Sequence, residues 1–182
     1  NYNFRVNGVS VQNGALSTYT TSALVNGNTV DVIVTNASGC TGTSGVITMT
    51  VNANPVAGLT SSDGDNIICA GESVTFTGSG GTNYEFFVDG TSVQNGAGTT
   101  YVTTGLLSGQ VVTVRVSNAS GCSTTSTGIT TTVNANPVAS IVSNDADNII
   151  CAGTSVTFTG APTAANYNFR VNGVSVQNGA LS

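Results

Sequence analysis

Gln110-Val-Val-Thr-Val-Arg-Val-Ser117 alternates apolar and polar residues over a full strand length. Successive side chains of a β-strand point to opposite faces, so Val112, Val114 and Val116 share one face and Val111, Thr113 and Arg115 the other. A helix would need apolar residues three and four apart, and no stretch of this chain shows that spacing. Downstream the strand meets Asn118-Ala-Ser-Gly-Cys122, whose residue types favour a turn. Upstream, Asn83-Tyr-Glu-Phe-Phe-Val88 alternates in the same way and closes at Asp89-Gly90, a hairpin signal. Tyr84, Phe86 and Val88 then face the same core as the valines.

Working outward, the pattern predicts a first strand over residues 56–61, continued at 67–69, and a turn at 70–73. A strand follows at 74–78, with Val74 and Phe76 facing inward from the opposite sheet. Residues 91–94 form a short edge strand ending at Asn95-Gly96. Residues 99–104 form another, followed by a Ser108-Gly109 turn, and residues 124–133 close the set. Seven short strands at this spacing predict an all-β fold, a seven-stranded β-sandwich with a modest core adequate for about 80 residues.

The pattern repeats. Asn36-Ala-Ser-Gly-Cys40 returns as Asn118–Cys122, Asn52-Ala-Asn-Pro55 as Asn134–Pro137, and Asn66-Ile-Ile-Cys-Ala-Gly71 as Asn148–Gly153, each 82 residues on. One extra residue near Ala161-Pro-Thr-Ala-Ala165 makes the next step 83, and residues 1–17 are identical to 166–182. The longer period is therefore a pair of domains. The expected organisation is the rear part of a repeat at 1–53, a complete repeat at 54–136 and the front part of the next at 137–182. Such a window reads as a slice of a longer polymer.

Composition excludes several function classes. Only 6% of the 182 residues are charged, the net charge is −5, and all three cations are arginines: Arg5, Arg115 and Arg170. Nucleic acid binding therefore has no electrostatic footing. No apolar run approaches the roughly 18–20 residues of a membrane span, and no targeting segment is visible. Nucleophilic catalysis lacks a base, because the chain contains no histidine or lysine. Zinc-type ligation lacks histidine and closely spaced thiols.

Ile68-Cys-Ala-Gly-Glu-Ser-Val-Thr-Phe-Thr77, Asn83–Gly90 and Val114–Cys122 together resemble the immunoglobulin-like repeats of giant surface proteins of Bacteroidota. These are similar in organisation to gliding-motility adhesins and other filaments exported by the type 9 secretion system. The resemblance covers the whole window. It implies tandem immunoglobulin-like (PKD/fibronectin-like) sandwiches and an extracellular or cell-surface location. The partners it implies are neighbouring repeats of the same chain and further copies of the protein in a filament.

Four cysteines, Cys40, Cys69, Cys122 and Cys151, sit regularly in this Thr/Asn-rich, lysine-free chain and read as structural disulfides of an oxidising compartment. In an immunoglobulin-like strand order Cys69 and Cys122 fall at opposite poles, roughly 25 Å apart. A disulfide needs Cα atoms within about 7 Å. A bond across each domain junction is one pairing; Cys69 with Cys122 inside a repeat is another; free thiols are the third.

Asp63-Gly-Asp-Asn66 and Asp145-Ala-Asp-Asn148 place Asp63 and Asp65, and Asp145 and Asp147, on short loops. Hard oxygen ligands suit calcium, the one cofactor to weigh, although the distal glutamate of an EF-hand is missing. The same residue types also make ordinary turns. Asn36 and Asn118 head N-glycosylation sequons that equally read as turns. On the outward face Phe87 neighbours Arg115, a cation–π geometry, while Arg5 neighbours Asp31 and Ile33. Arg170 repeats Arg5. These outward residues are either lateral contacts between chains or solvated surface. The sequence thus points to a non-enzymatic filament or adhesin stalk, and alternatively to an adhesive module recognising glycans or another cell surface.

Overall fold

The computed structural model describes residues 1–161 and 166–179, so the insertion expected near 161–165 lies almost wholly outside the described residues. Every regular element among them is a β-strand. The chain forms two compact units, the first comprising 1–62, 75–101 and 111–129, the second 63–74, 102–110 and 130–182.

The first unit holds two five-stranded sheets of the same design. One runs in the order Val9–Gly14, Tyr2–Val6, Thr29–Thr35, Thr41–Thr43, with Ile47–Thr48 also paired to Thr29–Thr35. The other runs Thr91–Gly96, Asn83–Val88, Val111–Ser117, Ser123–Thr125, with Ile129–Thr130 paired to Val111–Ser117. Each strand of the second lies about 82 residues after its counterpart, and smaller details recur with it. Gln12 Nε2 donates to Thr18 O at 2.8 Å, and Gln94 Nε2 donates to Thr100 O at 2.8 Å.

Facing the second of these sheets is a three-stranded one, Thr100–Thr103, Val74–Ser79, Gly58–Ser61, most of which belongs to the same unit. Alternation fixes what meets between the layers. Tyr84, Phe86, Val112, Val114 and Val116 point in from one sheet and Phe76 from the other, all buried. Tyr101 ties the layers together, its ring centroid 6.4 Å from Phe76 and 5.9 Å from Phe86. The sheets approach closely at Gly78, where a Cβ would stand 2.9 Å from the Tyr84 ring, so nothing larger than glycine fits without a shift.

Within the second unit, Ile67–Cys69 pairs in parallel with Thr132–Asn134. That last strand is also held from its other side, since Gly109 N donates to Thr131 O at 2.9 Å and Thr131 N to Gln110 O at 3.2 Å. Ile68, Val74, Leu106 and Thr131 are buried here. Two hairpins follow, Ser140–Ser143 with Phe158–Ala161 and Tyr167–Val171 with Val174–Gly179.

Merging the interrupted first and last strands of the middle repeat leaves seven, in two facing sheets with a parallel first-to-last contact. The chain is all-β and built of tandem immunoglobulin-like β-sandwiches. Three expected boundaries need correction. The strand expected over 124–133 is three lengths, Ser123–Thr125, Ile129–Thr130 and Thr132–Asn134. The chain leaves Val111–Ser117 to pair with Ile67–Cys69, and near the crossing Gly128 lies so close to Val111 Cγ1 that a Cβ would stand 2.5 Å away. The first strand starts at Gly58, leaving Val56 exposed after Pro55. The edge strand reaches Gly96 because Val93 is accommodated as a bulge between Ser92 and Gln94.

Within the complete repeat, Phe76 is 0% exposed, whereas Val102 is 58% exposed. Deleting a buried phenylalanine costs about 3–5 kcal/mol, and deleting an exposed side chain under about 1 kcal/mol. Urea unfolding should therefore rank Phe76→Ala far below Val102→Ala in stability; equal losses would mean that the two layers do not enclose Phe76.

Candidate functional site

The sequence places most of its chemistry around Asn-Ala-Asn-Pro, which occurs at 52–55 and 134–137. Proline lacks an amide and disfavours a helical conformation in the residue before it, so the tetrapeptide runs extended and offers its carbonyls to neighbours. At the first copy, within the first unit, Asn118 Nδ2 donates to Ala53 O at 2.9 Å and the Cys122 thiol donates to Asn52 O at 3.7 Å. Asn118 is itself set by its turn, its Oδ1 accepting from Ser120 N at 3.1 Å and Cys122 N at 3.0 Å. The Asn118 amide nitrogen, which a glycan would have to use, is thus occupied.

At the second copy, within the second unit, Asn134 stands in register with Cys69. Ala70 N donates to Asn134 O at 2.9 Å and Asn136 Nδ2 donates to Ala70 O at 2.8 Å. One position of the tetrapeptide, Asn52 in the first copy and Asn134 in the second, therefore receives partners from two different stretches of the repeating sequence: the cysteine turn and the cysteine strand.

Cys40, Cys69 and Cys151 are exposed thiols and Cys122 is half-buried; none is bonded to another. The disulfides expected at these positions are thus not formed within this stretch. The described contacts of residues 52–55 include Cys122, and those of 134–137 include Cys69, one cysteine at each.

The acidic loops act as turn caps. Asp63 Oδ1 and Asp65 Oδ1 both accept from Ile67 N at 3.0 Å, and Asp145 and Asp147 accept from Ile149 N at 3.2 and 3.1 Å. Asn66 and Asn148 sit between cap and strand at φ 58° and 57°, a conformation asparagine tolerates. No group of three or more His, Cys, Asp or Glu side chains able to hold a metal stands together among the described residues.

On the outward face of the five-stranded sheets, the two repeats exchange their contents between neighbouring rungs. Arg5 lies opposite Asp31 and grips it with two hydrogen bonds, Nε to Oδ1 at 2.8 Å and Nη2 to Oδ2 at 2.5 Å. The same rung 82 residues on holds Phe87 opposite Thr113. One rung over, Asn3 opposite Ile33 becomes Glu85 opposite Arg115, joined as an ion pair. Arg115 also lies over the Phe87 ring, 5.8 Å from its centroid. Arg170 is exposed on Tyr167–Val171. The hydrogen bonds from Arg5 hold the Asp31 carboxyl below its ordinary range, and those to Asp31 push the Arg5 guanidinium up.

No helix among the described residues is long and apolar enough to cross a membrane. No protein-family model and no curated protein sequence matches the chain. Solved structures do. Fibronectin(III)-like modules of Clostridium thermocellum CbhA match with a TM-score of 0.44 at 13% identity, over 74% of this chain and 77% of theirs. The amphioxus IgVJ-C2 molecule matches with a TM-score of 0.32 at 17% identity, over 71% and 87%. Bacteroides ovatus SGBP-B, solved with a mixed-linkage heptasaccharide, matches with a TM-score of 0.25 at 18% identity, over 78% of this chain and 40% of that one.

Two measurements follow from these contacts. Because the folded Asp31 carboxyl titrates below its unfolded value, ordinarily about 3.9, its pairing adds stability above that pH and loses it as pH falls through the lowered folded value. Asp31→Asn should therefore flatten the stability–pH profile below about pH 4, as followed by circular dichroism during acid titration. An unchanged profile would show that the pair contributes nothing. Asp65→Ala should cost about 0.5–1.5 kcal/mol through a lost cap, while chelator leaves the melting temperature of the parent chain where it was; a fall on chelation would instead reveal a bound cation.

Proposed function

We propose that the chain is a run of mechanical links in an extracellular filament or adhesin stalk, each immunoglobulin-like repeat such as 54–136 being one link. The observation that carries this reading is that both copies of Asn-Ala-Asn-Pro are anchored, each to a different part of a repeat. One copy is bonded to the turn of the repeat that follows it, through Asn118 and Cys122. The other is bonded to the strand end of the repeat that precedes it, through Ala70. A linker that carries both sets of contacts would transmit force and resist bending, unlike a free Gly/Ser tether. Near-identical copies also suit a load-bearing array, in which stability is a sum of repeats and their interfaces.

The setting that fits is the surface of a Bacteroidota cell, reached by type 9 export, as in the gliding-adhesin-like proteins these repeats resemble. No cofactor and no catalytic step is required. The exchanged rungs, with Phe87, Arg115 and Glu85 alternating with Arg5, Asp31 and Ile33, give successive links different outer faces, where copies of the chain would lie side by side. The alternative, a module recognising glycans or another cell, is less well supported, because the outward aromatic Phe87 is already covered by Arg115.

Electron microscopy of the purified full-length protein should show evenly spaced beads, one per repeat, on a stiff path. Inserting four glycines after Ala135 and at each equivalent position should shorten the mean end-to-end distance without changing the melting temperature of the beads. A single globular body, or an unchanged distance after insertion, would rule the reading out.

A further inference from the structure

We propose that each junction between repeats is closed by a disulfide joining the strand cysteine of one repeat to the turn cysteine of the next. This deepens the filament reading and rests on it. Asn52 and Asn134 occupy the same repeat position. The Asn134 carbonyl accepts from Ala70 N at 2.9 Å, and the residue before Ala70 is Cys69, its register partner. The Asn52 carbonyl accepts from the Cys122 thiol at 3.7 Å. On a linker that carries both neighbours, one oxygen lies between the turn sulfur and the nitrogen that follows the strand cysteine. Those two contacts bring the turn sulfur beside the backbone at the strand cysteine. A disulfide then requires the two Cα atoms within about 7 Å, a condition the peptide map below tests.

Both approaches are held in place by bonds that do not involve sulfur. Asn118 Nδ2 fixes the turn on Ala53 O, and Asn136 Nδ2 fixes the linker on Ala70 O. Neither side has to unfold to react. The four cysteines of residues 1–182 are not bonded to one another. The partner of Cys69 belongs to the turn after linker 134–137, and the partner of Cys122 to the strand before linker 52–55. Both positions fall outside residues 1–182.

The two-repeat period then dictates which cysteine types join. Cys69 pairs with an equivalent of Cys40, and an equivalent of Cys151 pairs with Cys122. Formation removes two protons and two electrons. One cysteine thiolate attacks a disulfide-bearing oxidant and releases one thiol. The second thiolate attacks the mixed disulfide and releases the other, so the oxidant leaves as two thiols.

Flanking residues label every peptide: Cys69-Ala-Gly-Glu72, Cys151-Ala-Gly-Thr154, Cys40-Thr-Gly-Thr43 and Cys122-Ser-Thr-Thr125. Full-length protein is alkylated and digested without reductant, and the linked peptides are identified by mass. The expected links are the Glu72-labelled peptide with the Cys40 type and the Thr154-labelled peptide with the Cys122 type. A link between the Glu72-labelled and Cys122 peptides is the bond within a repeat and overturns the proposal, as do four fully alkylated thiols. Cys69→Ser should abolish its own link and leave the other. Microscopy separates the two readings: beads without junction peptides defeat the disulfide alone, whereas a single compact body defeats the filament.

Discussion

Contact between two sheets across Tyr101 is the constraint on which the rest depends. Its ring touches Phe76 on its own sheet and Phe86 on the facing one. Fully burying one such side chain is worth about 1.5–3 kcal/mol, a large share of the stability of a small domain. Along Val111–Ser117 the effect is plain. Val112, Val114 and Val116, which face the second layer, are 0% exposed, while Arg115 on the other face is exposed. A repeat is therefore a cooperative pair of sheets, and its alternating strands are a necessary but insufficient part.

Much of this was legible from period-two alternation. The buried positions Tyr84, Phe86, Val112, Val114, Val116, Val74 and Phe76 follow from it directly. Tyr101, Leu106 and Thr131 do not. Tyr101 lies in a short strand whose alternation is too brief to fix a face, and Leu106 lies in a connection with no period. Thr131 is polar, buried to 1% exposure with its hydroxyl unpartnered, in a segment whose composition predicts one continuous strand. That segment changes sheets, and no local signal marks the change beyond Gly128. Charge pairing was half visible: adjacency of Arg5 and Asp31 follows from strand order, but the two-bonded grip between them needs coordinates.

The linker shows the same limit from another side. Recurrence of Asn-Ala-Asn-Pro announces that four residues matter, without saying what each one does. In the folded chain their roles separate. The first carbonyl accepts from a backbone amide or a thiol, and the next accepts from the Asn118 side chain. The amide of the second asparagine reaches Ala70, and the proline ends the run. Asparagine is the residue suited to this, because its short side chain carries both donor and acceptor without charge. Aspartate would place a carboxylate against the Ala70 carbonyl, and alanine would leave that carbonyl unbonded.

The two repeat types differ where the backbone is least affected. Exchanging the Arg5–Asp31 rung for Phe87–Thr113, and Asn3–Ile33 for Glu85–Arg115, keeps one ion pair and one apolar residue per sheet while moving each by one rung. Cross-strand pairs of either kind stabilise a sheet by similar amounts, roughly 0.2–1 kcal/mol, so the swap leaves the two sheets about equally supported. Drift would erode the pairs independently, leaving orphaned charges on one strand or the other. Here both partners move together, and Arg115 closes over the very ring that the exchange introduces. The exchange thus keeps the cross-strand support of each sheet while giving the two repeat types unlike outer faces.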